Sequence, residues 1–287
     1  LGANVAVVSN PEFLREGSAV ADFFHPDRIV IGTTDDRAAE TLIEMYKDLD
    51  APVVVTDPKS SEMIKYASNA YLATRLTFAN TLANVCEYVG ADVTAVLDGV
   101  GSDHRIGSHF LKPGPGYGGS CFPKDTLALV SIAEEAGYDF ALMKGVIEAN
   151  DNQMERTVGK ILRTVEGIID ARIALLGLAF KAGTDDTRHS PALRIAAALV
   201  AAGLQVTAYD PAVTESPIAG IKTVGSALEA AEGADVLVIA TEWPQFGDID
   251  LEAVSSAMRG TAIVDARNLL DPEAVKDHGM TYTGIGR

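Results

Sequence analysis

Positive charge is scarce in this 287-residue sequence: 23 Lys and Arg stand against 40 Asp and Glu, a formal net charge of −17. That balance excludes nucleic acid and anionic membranes as main partners, because both are bound through basic patches. An anionic ligand would have to be held by a few well-placed Lys and Arg residues against an unfavourable overall field. Cysteine is nearly absent too. Cys86 and Cys121 cannot build a disulfide framework, so a reducing, cytoplasmic setting is expected. The five histidines (His25, His104, His109, His189, His278) show no ligand spacing, and no metal is expected. No window holds the roughly eighteen uninterrupted apolar residues of a membrane span. Low-complexity tracts are missing, which excludes a disordered or fibrous chain. The first residues lack a basic region and a cleavage pattern, so no signal peptide is expected. A start at Leu1 rather than Met is expected of a fragment or a processed product.

What is present reads as α/β, then helical, then α/β. "ANVAVVSNP" (3–11), "DRIVIGTT" (27–34) and "APVVVTD" (51–57) are short, β-branched runs that predict strands. The amphipathic stretch 35–49 between the last two predicts a helix, giving a βαβ unit and a parallel sheet. From Pro58 some thirty residues run without interior Gly or Pro, with apolar positions at helical spacing up to Gly90. One long helix is predicted there, and three more follow before residue 167. From 171 onward strands and helices alternate, as in open, doubly wound sheets. The domains expected are 1–57, 58–167 and 168–287.

The stretch "PGPGYGGSCFPKDT" (113–126) contains four glycines just before Cys121. Gly114, Gly116 and Gly119 fit G-x-G-x-x-G literally, but a dinucleotide fingerprint must follow a strand, and this one follows a helical region. A loop whose backbone turns sharply or approaches something closely is the physical reading. Pro123 suits the first turn of the next helix, which places Cys121 at a helix N-terminus. A thiol there feels the positive end of the dipole, and its pKa falls toward the thiolate. Lys112 and Lys124 add to that field, and Asp125 lies four residues on. Cys121 therefore reads as a nucleophile, Cys86, mid-helix, as packing.

Other groupings are less specific. Glu12 and Glu16 stand four apart on a turn-to-helix stretch, suited to acid–base work or simply solvated. Lys65 and Asn69, at i and i+4 on the long helix, are able to donate to a developing oxyanion or to sit idle on the surface. In the last sheet Lys181, Arg188 and Arg267 are the candidate phosphate partners at strand ends. A ribose contact and a strand-ending turn account equally for Asp210.

Taken together, "SNPEFLREGSAVADFFHPDRIVIG", "EMIKYASNAYLATRLTFANTLANVCEYVGADV", "RIGSHFLKPGPGYGGSCFPKDT", "GLAFKAGTDDTRHSPAL", "YDP" and "DARNLLD" resemble the nucleotide-sugar 6-dehydrogenases. Within them the glycine–cysteine stretch favours the UDP-glucose dehydrogenases, and the ending "YTGIGR" is similar too. The resemblance spans residues 9–270. It implies the tail of a Rossmann domain, a central helical dimerisation region with one long helix, and a C-terminal doubly wound Rossmann-like domain that binds UDP. It implies oxidation of UDP-glucose to UDP-glucuronate by NAD through a thiohemiacetal and a thioester on Cys121. Lys65 and Asn69 would stabilise the oxyanion, Asp125 would position water, and Glu12 would serve as acid–base. Substrate contacts would come from Glu12, Phe13, Leu14, Arg15, Lys65, Asn69, Phe110, Leu111, Lys112, Pro113, Gly114 through Gly118, Phe180, Lys181 and Arg267. Arg105 would reach the sugar of a neighbouring subunit in a homodimer built on the long helix. Glu16, Lys124 and Arg188 would contact the cofactor.

One departure stands out. In the family a complete NAD-binding domain with G-x-G-x-x-G precedes this region, and residues 1–57 contain no such fingerprint. The chain is therefore expected to lack most of that domain, and neither to bind NAD properly nor to turn over. The alternatives are a GDP-mannose or other nucleotide-sugar 6-dehydrogenase, a non-catalytic UDP-sugar-binding dimerisation module, and a thiol hydrolase using Cys121.

Overall fold

The computed structural model describes residues 5–287. Two compact units divide within a helix, one ending at Tyr71 and the other beginning at Leu72.

The first unit contains α1 (Ala19–Phe24), β1 (Ile29–Gly32), α2 (Asp36–Met45), β2 (Val53–Thr56) and the start of α3 (Pro58–Val89). Strands β1 and β2 pair in parallel, Ile29 opposite Val53 and Gly32 opposite Thr56. The Asp35 side chain accepts from the Arg37 and Ala38 amides and fixes the start of α2. Ile29, Ile31 and Ala39 form the core, with Leu42 and Tyr46 packed on it. Gly32 has no room for a side chain, since a Cβ there would lie 2.3 Å from the Ser61 Cβ. The strand expected over 3–11 does not form among the described residues. Only Ser9 bridges, antiparallel to Gly32, and Val5 and Val7 are exposed. β-branched composition is not enough without a ladder partner. Residues 3 and 4 of that stretch lie outside the described residues.

The second unit holds the rest of α3, then α4 (Val93–Gly101), α5 (Phe122–Glu135) and α6 (Ala141–Thr164). After them come β3 (Arg172–Leu176), α7 (Pro191–Ala201), β4 (Gln205–Tyr209), β5 (Ile221–Thr223), α8 (Ala227–Ala231) and β6 (Val236–Ile239). The unit closes with α9 (Pro244–Gly247), α10 (Leu251–Ala257), β7 (Ala262–Asp265), α11 (Pro272–Asp277) and β8 (Thr281–Thr283). The sheet order is β5-β4-β3-β6-β7-β8, and every pair is parallel. Both faces are covered, so the central strands read as continuous apolar runs. Ile173 and Leu175 face a core with Ile161 of α6 and Ile195 and Leu199 of α7. Ala174 and Leu176 face the other core, with Ala230, Phe246, Val254 and Val275. From β3 the chain builds outward to β4 and β5, then returns to lay β6 on the other side of β3. The crevice at the carboxyl ends of β3 and β6 is therefore a topological switch point, where open α/β sheets bind ligands.

The C-terminal segment is tied back onto the helices. Lys160 Nζ donates to the Gly284 carbonyl at 2.7 Å, and the Gly286 amide donates to Glu87 Oε1 at 2.8 Å. Gly286, at φ +80°, lets the chain pass Val93 and Ala83, whose atoms would lie 2.7 and 2.8 Å from a Cβ. That contact accounts for the glycine in "YTGIGR".

Candidate active site

The glycine-rich loop joins α4 to α5, so its G-x-G-x-x-G match follows a helix rather than a strand. Gly118 and Gly119 are required by what lies beside them, and Gly114 is closely approached. A Cβ at Gly118 would lie 2.1 Å from the His189 carbonyl oxygen, and one at Gly119 would lie 2.7 Å from the Phe180 ring. At Gly114 it would lie 3.0 Å from Nη1 of Arg267. The Gly119 amide donates to the Arg188 carbonyl at 3.1 Å. The loop backbone is thereby laid on the N-terminus of α7, on Phe180 after β3 and on Arg267 after β7. Phe110, at φ +59°, begins it, Leu111 is buried in the α3–α4 core, and Lys112 is exposed with no ion-pair partner among the described residues.

At the end of the loop Cys121 is the N-cap of α5, with Pro123 in the first turn. It is partly buried, and its Sγ lies 3.6 Å from Ser120 Oγ. The first helical hydrogen bond runs from the Asp125 amide to the Cys121 carbonyl, 3.0 Å. This places the Asp125 carboxylate one turn along from the thiol. Asp125 is buried, and Lys124 Nζ lies 2.5 Å from its Oδ1. Cys86 is buried in the α3–α4 core, as packing requires.

The strand ends supply the cations. Arg267 donates from Nε to the Ala240 carbonyl at 3.0 Å and from Nη2 to the Phe180 carbonyl at 3.4 Å, and its Nε lies 3.1 Å from Glu242 Oε2. Its turn is built by Asp265, whose two carboxylate oxygens accept the Arg267 and Leu270 amides. Burial pushes the Asp265 carboxyl above its ordinary value. Lys181 lies beside Phe180, its Nζ 5.7 Å from the ring centre. Arg188 is engaged with Asp186 through Nε and Nη2. Asp210 is resolved in favour of the turn: Oδ2 accepts from Leu178 N, Ala179 N and Trp243 Nε1, and Oδ1 from Ala212 N and Val213 N. It holds the loop after β3 in place.

Within the first unit, Lys65 Nζ meets both the carbonyl (2.5 Å) and the carboxylate (2.8 Å) of Glu12. Asn69 follows one turn later on α3 and is buried. Arg28 stacks its guanidinium 3.6 Å over the Phe13 ring. The turn-to-helix placement holds for Glu16, in the turn 16–18 that leads into α1 at Ala19, and is corrected for Glu12, which lies in the irregular stretch 10–15. Arg15 forks onto Asp22, and its hydrogen bonds hold the Asp22 carboxyl well below the ordinary range. In the second unit Arg105 is exposed and forks onto Asp103.

Sequence reasoning passed over a set of buried amides. Asn80 on α3 and Asn150 and Gln153 on α6 hold the glycine loop from behind, and the partly buried Asn84 on α3 donates to Gln153. Their signal was polar residues at i and i+3 or i+4 on otherwise apolar helix faces.

The family models align with this architecture. The NAD binding domain of the UDP-glucose/GDP-mannose dehydrogenase family matches residues 1–50, its central domain 59–152 and its UDP binding domain 174–272. The expectation that the NAD-binding domain is lacking is thus not supported, since residues 1–50 are recognised as belonging to it. The UDP-glucose 6-dehydrogenase of Rhizobium meliloti is 48% identical, over 99% of this chain and 67% of its own length. The enzyme of that name from Bacillus subtilis is 47% identical, over 99% and 66%. The chain thus spans about two thirds of the curated relatives it matches. The structure of a UDP-glucose dehydrogenase from Pyrobaculum islandicum superposes with a TM-score of 0.90 at 38% identity, covering 99% of this chain and 64% of that one. A UDP-D-ManNAc dehydrogenase from Pyrococcus horikoshii gives 0.86 at 30%, covering 100% and 66%. With successive models of one family in chain order, and relatives near half identity across the glycine loop, α3 and the six-stranded sheet, the chain belongs to the UDP-glucose/GDP-mannose dehydrogenase family.

Proposed function

We propose that this chain carries the nucleotide-sugar site and the covalent machinery of an NAD-dependent UDP-glucose 6-dehydrogenase. The observation that supports it most is the path of the glycine loop. It leaves Phe180 and Arg267, at the carboxyl ends of β3 and β7, and delivers Cys121 to the start of α5. A nucleotide diphosphate bound at the sheet's switch point would meet Lys181 and Arg267, and the loop backbone would run along the sugar toward the thiol.

The cofactor would supply the oxidising power: two NAD molecules, bound in turn, would each take one hydride. The parallel β1–α2–β2 unit is of the kind from which dinucleotide domains are built, and Glu16, Lys124 and Arg188 are the proposed cofactor contacts. No pyrophosphate contact is assigned, because residues 1–57 hold no G-x-G-x-x-G. The rest falls to side chains. The Cys121 sulfur adds to the C6 aldehyde, forming the C–S bond of a thiohemiacetal while the carbonyl oxygen takes a proton. After the second oxidation the adduct is a thioester. Water attacks that carbonyl, the C–S bond breaks, and the carboxylate and thiol are released. Asp125, buried one helical turn from Cys121, is suited to orienting the water. Lys65 and Asn69 are the proposed oxyanion donors, where one such donor is worth about 10²–10³ in rate, and Glu12, paired with Lys65, is the proposed acid–base group. Phe78, Val85 and Val89 are exposed along one face of α3, which supports a homodimer on that helix, with Arg105 contributing to the neighbouring sugar site.

UDP-glucose should protect Cys121 from iodoacetamide, and with NAD the protein should form two NADH per UDP-glucuronate. Cys121→Ser should form no acid. Acid formation by that variant, or labelling of Cys121 unaffected by saturating UDP-glucose, would overturn the proposal. A second reading, a UDP-sugar-binding module without turnover, is told apart by the same assay. It predicts the same protection with no NAD reduction.

A further inference from the structure

The loop 113–119 has no regular secondary structure, yet Gly114, Pro115, Tyr117, Gly118 and Gly119 are buried. Buried backbone amides and carbonyls must find partners. Here many of those partners are side-chain amides of two helices. Asn80 Oδ1 accepts the Gly114 N–H at 2.8 Å, and Gln153 Nε2 donates to the Gly114 carbonyl at 2.9 Å. Asn150 accepts the Tyr117 N–H at 2.7 Å and donates to the Tyr117 carbonyl at 3.2 Å, as a neighbouring β-strand would. Asn84 Nδ2 donates to Gln153 Oε1 at 2.9 Å and fixes which way that amide faces. Asn80, Asn150 and Gln153 are each no more than 5% exposed.

We infer that Asn80, Asn150 and Gln153 are positioning residues for nucleotide-sugar binding: they set the shape of the loop from its buried side while its other side faces the ligand. The inference rests on the functional reading above. Gly114 is the centre of the device. Its N–H is held from α3 and its carbonyl from α6, and it lies close against Arg267, a Cβ there being 3.0 Å from Nη1. Loosening either amide frees the residue that packs on a phosphate-binding arginine. The residue types fit the task. A side-chain amide offers a donor and an acceptor on separate atoms of one planar, uncharged group, so it can pair with both halves of a peptide. A buried carboxylate or ammonium would carry a desolvation cost and serve one half only. Helix packing alone does not call for three polar side chains on buried faces of α3 and α6. The clamp contains no titratable group, so the loop keeps its shape across the pH range in which phosphates and carboxylates change charge.

The test compares Gln153→Ala and the volume-conserving Gln153→Met with wild type, and with Thr157→Val. Thr157 is buried one turn further along α6 and donates only to the helix carbonyl of Gln153. The readouts are UDP-glucose affinity by calorimetry, thermal melting, and hydrogen exchange of peptides covering 112–119. Both Gln153 variants should weaken UDP-glucose at least tenfold and accelerate exchange in that loop, leaving exchange in β3 and β6 unchanged. Thr157→Val should lower the melting temperature without changing affinity. If Gln153→Met bound UDP-glucose within twofold of wild type with unchanged loop exchange, the clamp would be refuted. Equal weakening by Thr157→Val would reduce it to general packing and refute it as well. A wild-type chain that bound no UDP-glucose would sink the functional reading alone, and loop exchange would then still decide for or against the clamp.

Discussion

Asp210→Asn separates a structural carboxylate from a ligand-binding one. The wild-type side chain accepts hydrogen bonds from Leu178 N, Ala179 N and Trp243 Nε1 on Oδ2, and from Ala212 N and Val213 N on Oδ1. Asparagine keeps one acceptor. Its best orientation turns the oxygen to the three donors and leaves its NH2 facing the Ala212 and Val213 amides. Two hydrogen bonds to a charged acceptor are lost, each worth about 1.5–3 kcal/mol. The low end sums to about 3 kcal/mol, before counting the crowding of donors. For a unit of 150–250 residues each kcal/mol moves the melting temperature by about 2–4 °C, so a fall of roughly 6–12 °C is expected. Differential scanning calorimetry measures the fall, and urea denaturation gives the free energy independently. UDP-glucose affinity, measured well below the melt, should change only as far as the loop carrying Phe180 and Lys181 shifts. A variant that melted within 2 °C of wild type while losing nucleotide affinity would show that Asp210 serves a ligand, and the reasoning from its five donors would be wrong.

Three further outcomes follow from the same geometry. Gly119→Ala puts a side chain into left-handed backbone at φ +82°, about 1–2 kcal/mol, and drives a Cβ against the Phe180 ring. It should destabilise by about 2–5 kcal/mol in urea melts once overpacking is added, and a neutral result would mean the ring is not confined. Asp235 is held below its ordinary pKa of 3.8, first by its hydrogen bonds to Arg259. Its contribution is therefore present above pH 4 and lost as pH falls through the lower folded value, so Asp235→Asn should flatten the acid limb of a stability–pH curve and cost most at neutral pH. Glu12→Gln removes the carboxylate partner of Lys65, but Glu12 is 57% exposed. Its stability should change by less than about 1 kcal/mol, and a larger loss in chemical denaturation would mark the pair as structural.

The larger architecture was legible because it is repeated in short-range signals. The apolar run of 173–176 reads as a strand covered on both faces, and Ser190 followed by Pro191 announced the start of α7, where the Ser190 oxygen accepts the Leu193 amide. The three-residue edge strands β5 and β8 and the short helices α9 and α11 passed unnoticed, being shorter than any periodicity needs to show itself. The stretch 3–11 failed in the opposite sense, with strand-like residues and, among those described, only the Ser9 bridge to pair them.

The site shows why some functional residues announce themselves and others do not. Gly118 and Gly119 were conspicuous because close approach of two backbones admits one residue type, so the constraint is written in the composition of the loop itself. Cys121 was conspicuous because thiols are rare in this chain and helix starts carry recognisable residues. The amides behind the loop act through partners 33 to 69 residues away, and an Asn or Gln on a helix looks the same whether it faces water or a buried peptide. Asp210 shows the same limit from the other side. An acid at the end of a strand suits a ribose or a turn, and only the positions of five N–H groups decide between them. A chain of this family therefore advertises the surfaces that meet its ligand and conceals the buried groups that hold those surfaces in shape. Substitutions at the concealed positions are where its specificity should prove most sensitive to changes that touch no substrate atom.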